Sequence, residues 1–245
     1  YVESFRDGMS SFAHYSRGEL IESGQRPTKE KNGTYVKYTA DREMFSENFT
    51  YNMEYVEPLI KNYAYLKKGL TLNLNGTSYR SEHGLLDLIN DSMSEEPLYP
   101  PVHLEGEDIE IVITHGNSYG ENILSFVNGQ NTRDGGTHLA AFREAVAKTL
   151  KEFYKKDYAP EDIRQGIVGA ISIQIQEPHF ESQTKIKLGS TYMWEKQGDA
   201  DTPATHGPSI RSFVNDFVKT NLDNYLHIHK EIAPVIQEKI IASEK

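Results

Sequence analysis

The sequence predicts an α+β fold, in which antiparallel strands and long helices pack on a common sheet. Residues 167–175 are almost continuously apolar, which is typical of a central strand buried on both faces. Leu139 opens an amphipathic helical stripe that must pack on a sheet. Asp-Gly at 7–8 and Asn-Gly at 75–76 are favoured turns of two-residue β-hairpins.

The first part of the chain is predicted to contain three strands and a helix. Strands are expected at 1–5 and 11–15, on either side of the Asp-Gly turn, and alternation predicts a half-buried strand at 33–39. Residues 23–28, which include Gly and Pro, are predicted to form a loop. Apolar residues at i, i+3, i+4 and i+7 then indicate a helix, with Pro58 near its first turn and Gly69 capping its end; they are Val56, Leu59, Ile60 and Tyr63.

The rest of the chain is predicted to alternate between strands and helices. A hairpin is expected at 70–80 and a short helix at 85–93, after which prolines break the chain. Residues 109–114 and 122–127 are predicted to form an antiparallel pair. A long helix then presents one apolar stripe, a polar loop occupies 198–208, and two helices follow at 209–226 and 232–242; the stripe consists of Leu139, Phe142, Val146, Leu150 and Phe153.

Composition narrows the classes of function. The absence of cysteine excludes disulfides, thiolate zinc sites and thiol catalysis. No apolar run is long enough to cross a bilayer and no signal peptide is recognisable, so we expect a soluble, cytoplasmic protein without a membrane partner. The net charge of −10 argues against a surface that binds nucleic acid throughout. Any DNA contact must be local, and candidate cations are Arg133, Arg143 and Lys148.

Three separate motifs carry a family resemblance. The chain reads Asn-Thr-Arg-Asp-Gly-Gly-Thr-His at 131–138, Arg-Gln-Gly at 164–166, and Glu-Pro-His-Phe-Glu-Ser-Gln-Thr-Lys-Ile-Lys-Leu-Gly at 177–189. In this order and spacing they resemble the transducer domain of the B subunit of bacterial type IIA DNA topoisomerases, the family of gyrase and topoisomerase IV. The stretch from 188 to 213, with its acidic insertion, looks more like topoisomerase IV B subunits.

The resemblance implies a two-part organisation. Residues 1–76 look like the closing strands and helix of a GHKL-type ATPase sandwich, and residues 77–245 look like the transducer. In that family the transducer is a ribosomal-protein-like domain whose β-α-β unit has a left-handed crossover, an exception to the usual hand.

The resemblance also assigns candidate site residues. Lys185 corresponds to the family lysine that contacts the γ-phosphate of ATP, and it is the candidate catalytic residue. Gln183, two positions earlier on an extended loop, would lie on the same side and donate its amide to a phosphate oxygen. Thr34, in a Gly-Thr pair, is assigned to the adenine pocket. Without the resemblance, each would be an ordinary surface residue.

The implied function belongs to a larger protein. The GHKL glutamate, the Mg²⁺-holding asparagine, the adenine-binding segment and the lid are not found in this sequence, so we expect the chain to be a fragment that is inactive alone. The full-length subunit would use ATP and Mg²⁺, bound mainly by the part upstream. Its expected partners are DNA, the A subunit and a second B subunit in an ATP-dependent homodimer.

Other interpretations remain open at this stage. The chain could belong to another GHKL ATPase, of the mismatch-repair or chaperone type, or be a non-catalytic module that binds nucleic acid or protein. The glycines at 135–136 precede a helix and suggest an anion cradle, but no Walker pattern is present, so a tight turn with Thr137 as helix cap is favoured. His227, His229 and Glu231 are metal-ligand types, yet their spacing favours exposed residues at a helix junction.

Overall fold

The computed structural model describes residues 1–198 and 202–244 and has a mixed α+β architecture. Two compact units are present, Tyr1–Val56 and Glu57–Lys245, and each is described by itself. The predicted family boundary between residues 76 and 77 remains a prediction, because compactness alone does not define an inherited domain. Part of the predicted 198–208 loop, residues 199–201, lies outside the described residues.

The first unit contains a four-stranded antiparallel sheet with the order β3-β2-β1-β4. The predicted hairpin is confirmed, since Asp7 and Gly8 both adopt positive φ between β1 and β2, as this turn requires. The predicted strand at 33–39 is present as β4 but is exposed in this chain rather than half-buried. The strands are β1 (Val2–Arg6), β2 (Met9–Ser16), β3 (Glu19–Pro27) and β4 (Gly33–Val36).

The loop predicted at 23–28 was wrong, because residues 23–27 complete strand β3 and only Thr28 lies beyond it. Gly24 lies opposite Phe12, and its missing side chain leaves room for the Phe12 ring, only 3.0 Å from where a Cβ would be. Pro27 has no backbone N–H to donate. It is tolerated because β3 is an edge strand, whose outer side has no neighbouring strand to accept a hydrogen bond. Gly and Pro were thus misread as loop signals.

Helix α1 (Met53–Leu66) confirms the predicted helix, but two details differ. Pro58 lies inside the helix rather than in its first turn, and the side chain of Asn52 accepts the N–H of Glu54 at the start. Gly69 has φ +79° but follows the helix end by three residues. The predicted hairpin and short helix are confirmed as β5 (Leu72–Leu74), β6 (Thr77–Tyr79) and α2 (Leu85–Ser92).

A five-stranded sheet organises the second unit, with the order β10-β9-β11-β8-β7. The predicted pairing of 109–114 with 122–127 was wrong, because β11 lies between these strands, antiparallel to β8 and parallel to β9. The edge strand β7 was not predicted. The strands are β7 (Val102–Gly106), β8 (Ile109–His115), β9 (Asn122–Val127), β10 (Gln130–Asn131) and β11 (Ile167–Ile173).

Helices cover both faces of this sheet, which explains why β11 is apolar at every position except Ser172. One face packs on α3, whose predicted stripe is buried apart from the half-buried Phe153, and on α5; apolar residues of α6 belong to the same core. The other face packs on α2. The helices are α3 (Thr137–Tyr154), α4 (Pro160–Arg164), α5 (Ile210–Ile228) and α6 (Ile232–Ser243), and a small hairpin joins β12 (Glu195–Lys196) to β13 (Thr205–His206).

The parallel pair β9 and β11, linked through α3, supplies the β-α-β unit that the resemblance implies. The left hand of its crossover stays a prediction. Among the described residues, no helix is both long and apolar enough to span a bilayer.

Core packing on α3 gives a first testable prediction. Leu150 is 1% exposed, and Leu150→Ala should lower the free energy of unfolding by about 2–5 kcal/mol through lost burial and an unfilled cavity. Leu59, of the same type but 56% exposed, provides the matched control, and Leu59→Ala should change stability by less than about 0.5 kcal/mol. Urea denaturation of both variants measures the difference, and equal costs would contradict the described core.

Candidate functional site

Gln183 and Lys185 lie together at the exposed tip of the loop that follows β11. The N–H of Lys185 donates to the carbonyl of Ser182 at 3.0 Å, which closes a tight turn, so the extended loop conformation predicted for Gln183 and Lys185 was wrong. Lys185 adopts a left-handed φ of +56°, and the hydroxyls of Ser182 and Thr184 lie 2.7 Å apart. Within the described residues, no carboxylate lies within ion-pair distance of Lys185. The tip therefore presents an ammonium and an amide to solvent.

The stem below this tip is held firmly. Phe180 and Leu188 face each other across an antiparallel bridge, and the N–H of Glu181 donates to the carbonyl of Lys187 at 3.1 Å. The Lys187 ammonium also pairs with the Glu181 carboxylate at 2.9 Å. Leu188 is 1% exposed and belongs to the main core. The loop thus has a buried base and an exposed end.

The second motif, 131–138, is the platform on which this stem is fixed. The N–H of Leu188 donates to the carbonyl of Gly135 at 3.0 Å, and the N–H of Asp134 donates to the carbonyl of Ile186 at the same distance. Gly136 has φ +133°, and a Cβ placed there would lie 2.4 Å from the Leu188 carbonyl oxygen. Only glycine permits this approach, so two of the three motifs form one structural unit.

Thr137 does not cap helix α3, which corrects the predicted role. The residue before the helix is Gly136, which has no capping side chain, and the Thr137 hydroxyl instead donates to the carbonyl of Ser190 at 2.8 Å. The N–H of Thr137 is directed at the Leu188 carbonyl, 3.3 Å away. Because the stem already uses this end of the helix, the favoured structural interpretation of the glycines fits better than an anion cradle.

The third motif, 164–166, fastens the start of β11. The N–H of Gly166 donates to the carbonyl of Gly120 at 2.6 Å, and a Cβ on Gly166 would lie 2.6 Å from the Gly116 carbonyl oxygen. The guanidinium of Arg164 lies 3.3 Å from the carboxylate of Glu121. This motif therefore positions β11 from its other end, and no described contact joins it to the loop tip.

The three candidate DNA cations differ in how freely they are presented. Arg143 pairs with Glu121 at 2.6 Å, the carboxylate that Arg164 also approaches. Arg133 lies 3.9 Å from its neighbour Asp134 and is largely exposed. Lys148 is exposed on α3. The contacts do not join them into a single basic face, and their role in DNA binding stays a prediction.

Thr34 belongs to the first unit and lies on β4, opposite Ser4 of β1. It is exposed. Its neighbour Tyr35 lines an open hollow of about 870 Å³, whereas Thr34 is not part of that lining, because alternate residues of a strand face opposite sides. The hollow is rich in tyrosine; its lining includes Tyr1, Tyr15, Tyr35 and Tyr38.

Two histidines are buried in the second unit. His115 is held between the hydroxyl of Tyr99, 2.6 Å from Nδ1, and the carbonyl of Ile163, 3.2 Å from Nε2, and burial lowers its pKa to about 4. His138, in the second motif, lies 3.1 Å from the Thr132 hydroxyl, and its Nδ1 has no hydrogen-bond partner among the residues that the structure describes; burial likewise lowers its pKa to about 4. Both imidazoles are therefore neutral in the folded protein near neutral pH.

The junction of α5 and α6 confirms the interpretation of its polar residues. His227 is exposed and His229 is partly exposed, and each interacts with a different carboxylate, Asp223 and Glu231 respectively. Among the described residues, one group of three such side chains has its ligand atoms all within 4.8 Å of one another, and it lies elsewhere, at His103, Glu105 and Glu110. Sequence reasoning missed it, although His103 and Glu105 are spaced to share a strand face.

Comparison with known proteins decides the family. The sequence profile described as DNA gyrase B matches residues 53–197, more than half of the chain. The chain belongs to the DNA gyrase B family. The motif at 177–189, which forms the loop, and the motif at 131–138, which forms its platform, both lie inside the matched range. The resemblance to type IIA topoisomerase B subunits is therefore confirmed.

Relatives of this gyrase B family chain include both branches of the family. It is 37% identical over its whole length to the B subunit of DNA topoisomerase 4 from Borreliella burgdorferi, and 28% identical over 97% of its length to the B subunit of DNA gyrase from Treponema denticola. The chain spans 38% and 39% of the lengths of these two relatives.

Solved structures agree on the fold. The 43K ATPase domain of Thermus thermophilus gyrase B aligns with 99% of this chain and 67% of its own length, at a TM-score of 0.76 and 25% identity. The ATPase region of Saccharomyces cerevisiae topoisomerase II covers 98% of this chain and 60% of its own length at a TM-score of 0.64; at 18% identity it supports the fold alone. The predicted fold class is thereby confirmed.

The platform of the loop gives a second prediction. Gly136→Ala should cost at least about 2 kcal/mol of folding stability, because the new Cβ meets the backbone of Leu188 in a region of φ that disfavours side chains. Gly129→Ala is the matched control: φ is +82°, but nothing lies within 4 Å of its Cβ, so about 1 kcal/mol is expected. Urea denaturation compares them, and faster hydrogen exchange at the Leu188 amide should accompany Gly136→Ala alone.

The buried histidines give a third prediction. The ordinary pKa of 6.5 applies in the unfolded chain and about 4 in the folded one, so the unfolded state binds more protons between these values. The contribution of these histidines to the free energy of unfolding is fully present above pH 6.5 and is lost as the pH falls towards 4. At pH 5, protonation of each histidine in the unfolded state should have lowered the free energy of unfolding by about 2 kcal/mol. Urea denaturation from pH 7.5 to 5 measures this slope.

His138→Gln should make the slope shallower, whereas His179→Gln, at an exposed histidine of the same unit, should leave it unchanged. A slope identical in all three proteins would contradict a neutral, buried His138.

Proposed function

We propose that the chain is part of the B subunit of an ATP-dependent type II DNA topoisomerase, in which it couples ATP binding and hydrolysis to the passage of one DNA duplex through another. The observation that carries the proposal is an exposed ammonium, Lys185, without a carboxylate partner among the described residues, at the end of a loop whose base is fixed in the core. Membership of the DNA gyrase B family supports the assignment.

Lys185 is suited to contact the γ-phosphate of ATP held by the ATPase domain of the full-length protein. An ammonium donates up to three hydrogen bonds and stabilises the negative charge that spreads over the transferring phosphoryl group. Gln183 lies in the same turn and would donate its amide to a phosphate oxygen. This pair of donors fits a phosphate, and after loss of the γ-phosphate the lysine would be released.

Thr34 is proposed to serve the adenine pocket, with its hydroxyl able to hold a water molecule or a base edge. Its exposure in this chain is compatible with that role. Mg²⁺ would accompany the triphosphate, and none of the three proposed residues is assigned to bind it.

The stem explains how a nucleotide could alter the conformation of the protein. Because Leu188 pairs with Gly135 and is buried, a force on the loop tip is transmitted to α3 and the central sheet rather than absorbed by a flexible loop. A ligand shifts an equilibrium only by its differential affinity for the two states. A contact with the phosphate that exists in one state alone supplies such a difference.

The branch and the partners are part of the proposal. Identity is higher to the topoisomerase 4 relative from Borreliella than to the gyrase relative from Treponema, 37% against 28%, which favours topoisomerase IV. DNA, the A subunit and a second B subunit are the proposed partners, in the cytoplasm. The chain alone is expected not to turn over ATP.

Substitution of the loop lysines tests the proposal in the full-length protein. Lys185→Met should lower ATP turnover about tenfold to hundredfold, the equivalent of losing one charge-assisted contact, while circular dichroism shows an intact fold. Lys187→Met is the matched control two residues away; because Lys187 already pairs with Glu181, its loss should affect turnover little. Unchanged turnover in Lys185→Met, or equal losses in both variants, would overturn the assigned role.

A further inference from the structure

Three metal-ligand side chains converge on the hairpin of β7 and β8. His103 and Glu105 lie two residues apart on β7, so both project from the same face of the sheet. Glu110 on β8 lies directly opposite Glu105 in the strand register. One ligand atom from each of the three side chains lies within 4.8 Å of the other two. Modest side-chain movement would bring them to the spacing of a metal coordination shell.

A cation already occupies this position. The ammonium of Lys68, just after α1, contacts the Glu105 carboxylate and lies 3.9 Å from that of Glu110. Like charges directly opposite each other on neighbouring strands repel. The lysine offsets that repulsion in the protein as described, and a divalent ion would offset it more strongly.

Part of the site is preorganised. The carboxylate of Glu110 accepts the N–H of Leu85 at 3.0 Å and lies 2.8 Å from Nε2 of His103. Both side chains are largely buried, at 17% and 18% exposure. Ligands whose positions are fixed by backbone and by neighbouring groups bind with a smaller ordering cost. Glu105 and Lys68 are more exposed and are the movable members.

The geometry points to a divalent transition-metal site formed by His103, Glu105 and Glu110, with Lys68 as the competing cation. One imidazole and two carboxylates suit Zn²⁺ or Mn²⁺, whereas Mg²⁺ and Ca²⁺ prefer oxygen ligands alone. Binding would break the hydrogen bond between His103 and Glu110, so that Nε2 of a neutral His103 coordinates the metal while its proton sits on Nδ1, and it would free the Lys68 ammonium. This site is separate from Lys185 and does not depend on the function proposed for the loop.

Calorimetric titration of the chain with ZnCl₂ tests the site, with Co²⁺ absorption to report coordination. Lys68→Met should raise the affinity for Zn²⁺ about tenfold or more, because it removes a positive charge from the binding position. Lys67→Met, at the adjacent exposed lysine, removes the same charge elsewhere and should change the affinity less than about twofold.

Substitution of the proposed metal-binding side chains provides a second test. In the Lys68→Met background, Glu105→Gln and His103→Gln should each weaken binding at least about tenfold, and Glu107→Gln, in the adjacent turn, should not. Glu105 is exposed, so its variant tests the site even where His103→Gln fails to fold. Absence of one-to-one binding in Lys68→Met, or equal binding in Glu105→Gln and Glu107→Gln, would overturn the proposal.

Discussion

The close approach of the backbone at Gly136 to that at Leu188 is the constraint on which the candidate site depends. A Cβ at Gly136 would lie 2.4 Å from the Leu188 carbonyl oxygen, so the contact exists only because the residue is glycine. Leu188 is buried on one side of this contact, and Lys185 is exposed three residues before it. The buried Leu188 and the exposed Lys185 ammonium are thereby joined by a segment too short to move independently of the core.

Local patterns predicted most elements of the fold, because they report on neighbouring residues. The stripe on α3 and the turn at Asp7 and Gly8 are examples. Pairing between distant segments could not be obtained in this way. The hydrophobic patterns of β8 and β9 fit an antiparallel pair, yet β11, which follows them by some forty residues of α3 and α4, inserts between them. Nothing in either strand indicates its neighbour.

The candidate site was predictable only through resemblance. Gln183 and Lys185 are unremarkable exposed residues, and no periodicity distinguishes them from Lys187. The convergence of the Gly135–Gly136 segment with the loop stem required tertiary structure, and so did the replacement of the expected Thr137 cap by a bond to Ser190. The group of His103, Glu105 and Glu110 was not predicted for the same reason, because Glu110 is brought next to Glu105 only by the pairing register of β7 and β8.

Charge pairing distinguishes the two loop lysines. In a chain of net charge −10, exposed cations have many carboxylates available, and Lys187 has taken one from Glu181. A lysine in such a pair must give up its carboxylate partner in order to contact a phosphate, so the net gain in electrostatic free energy is small. Lys185 has no such pair within the described residues, and it is exposed at the tip in a left-handed backbone conformation. The phosphate contact proposed for Lys185 would therefore keep most of its Coulomb attraction, which is the property that a nucleotide-dependent contact needs.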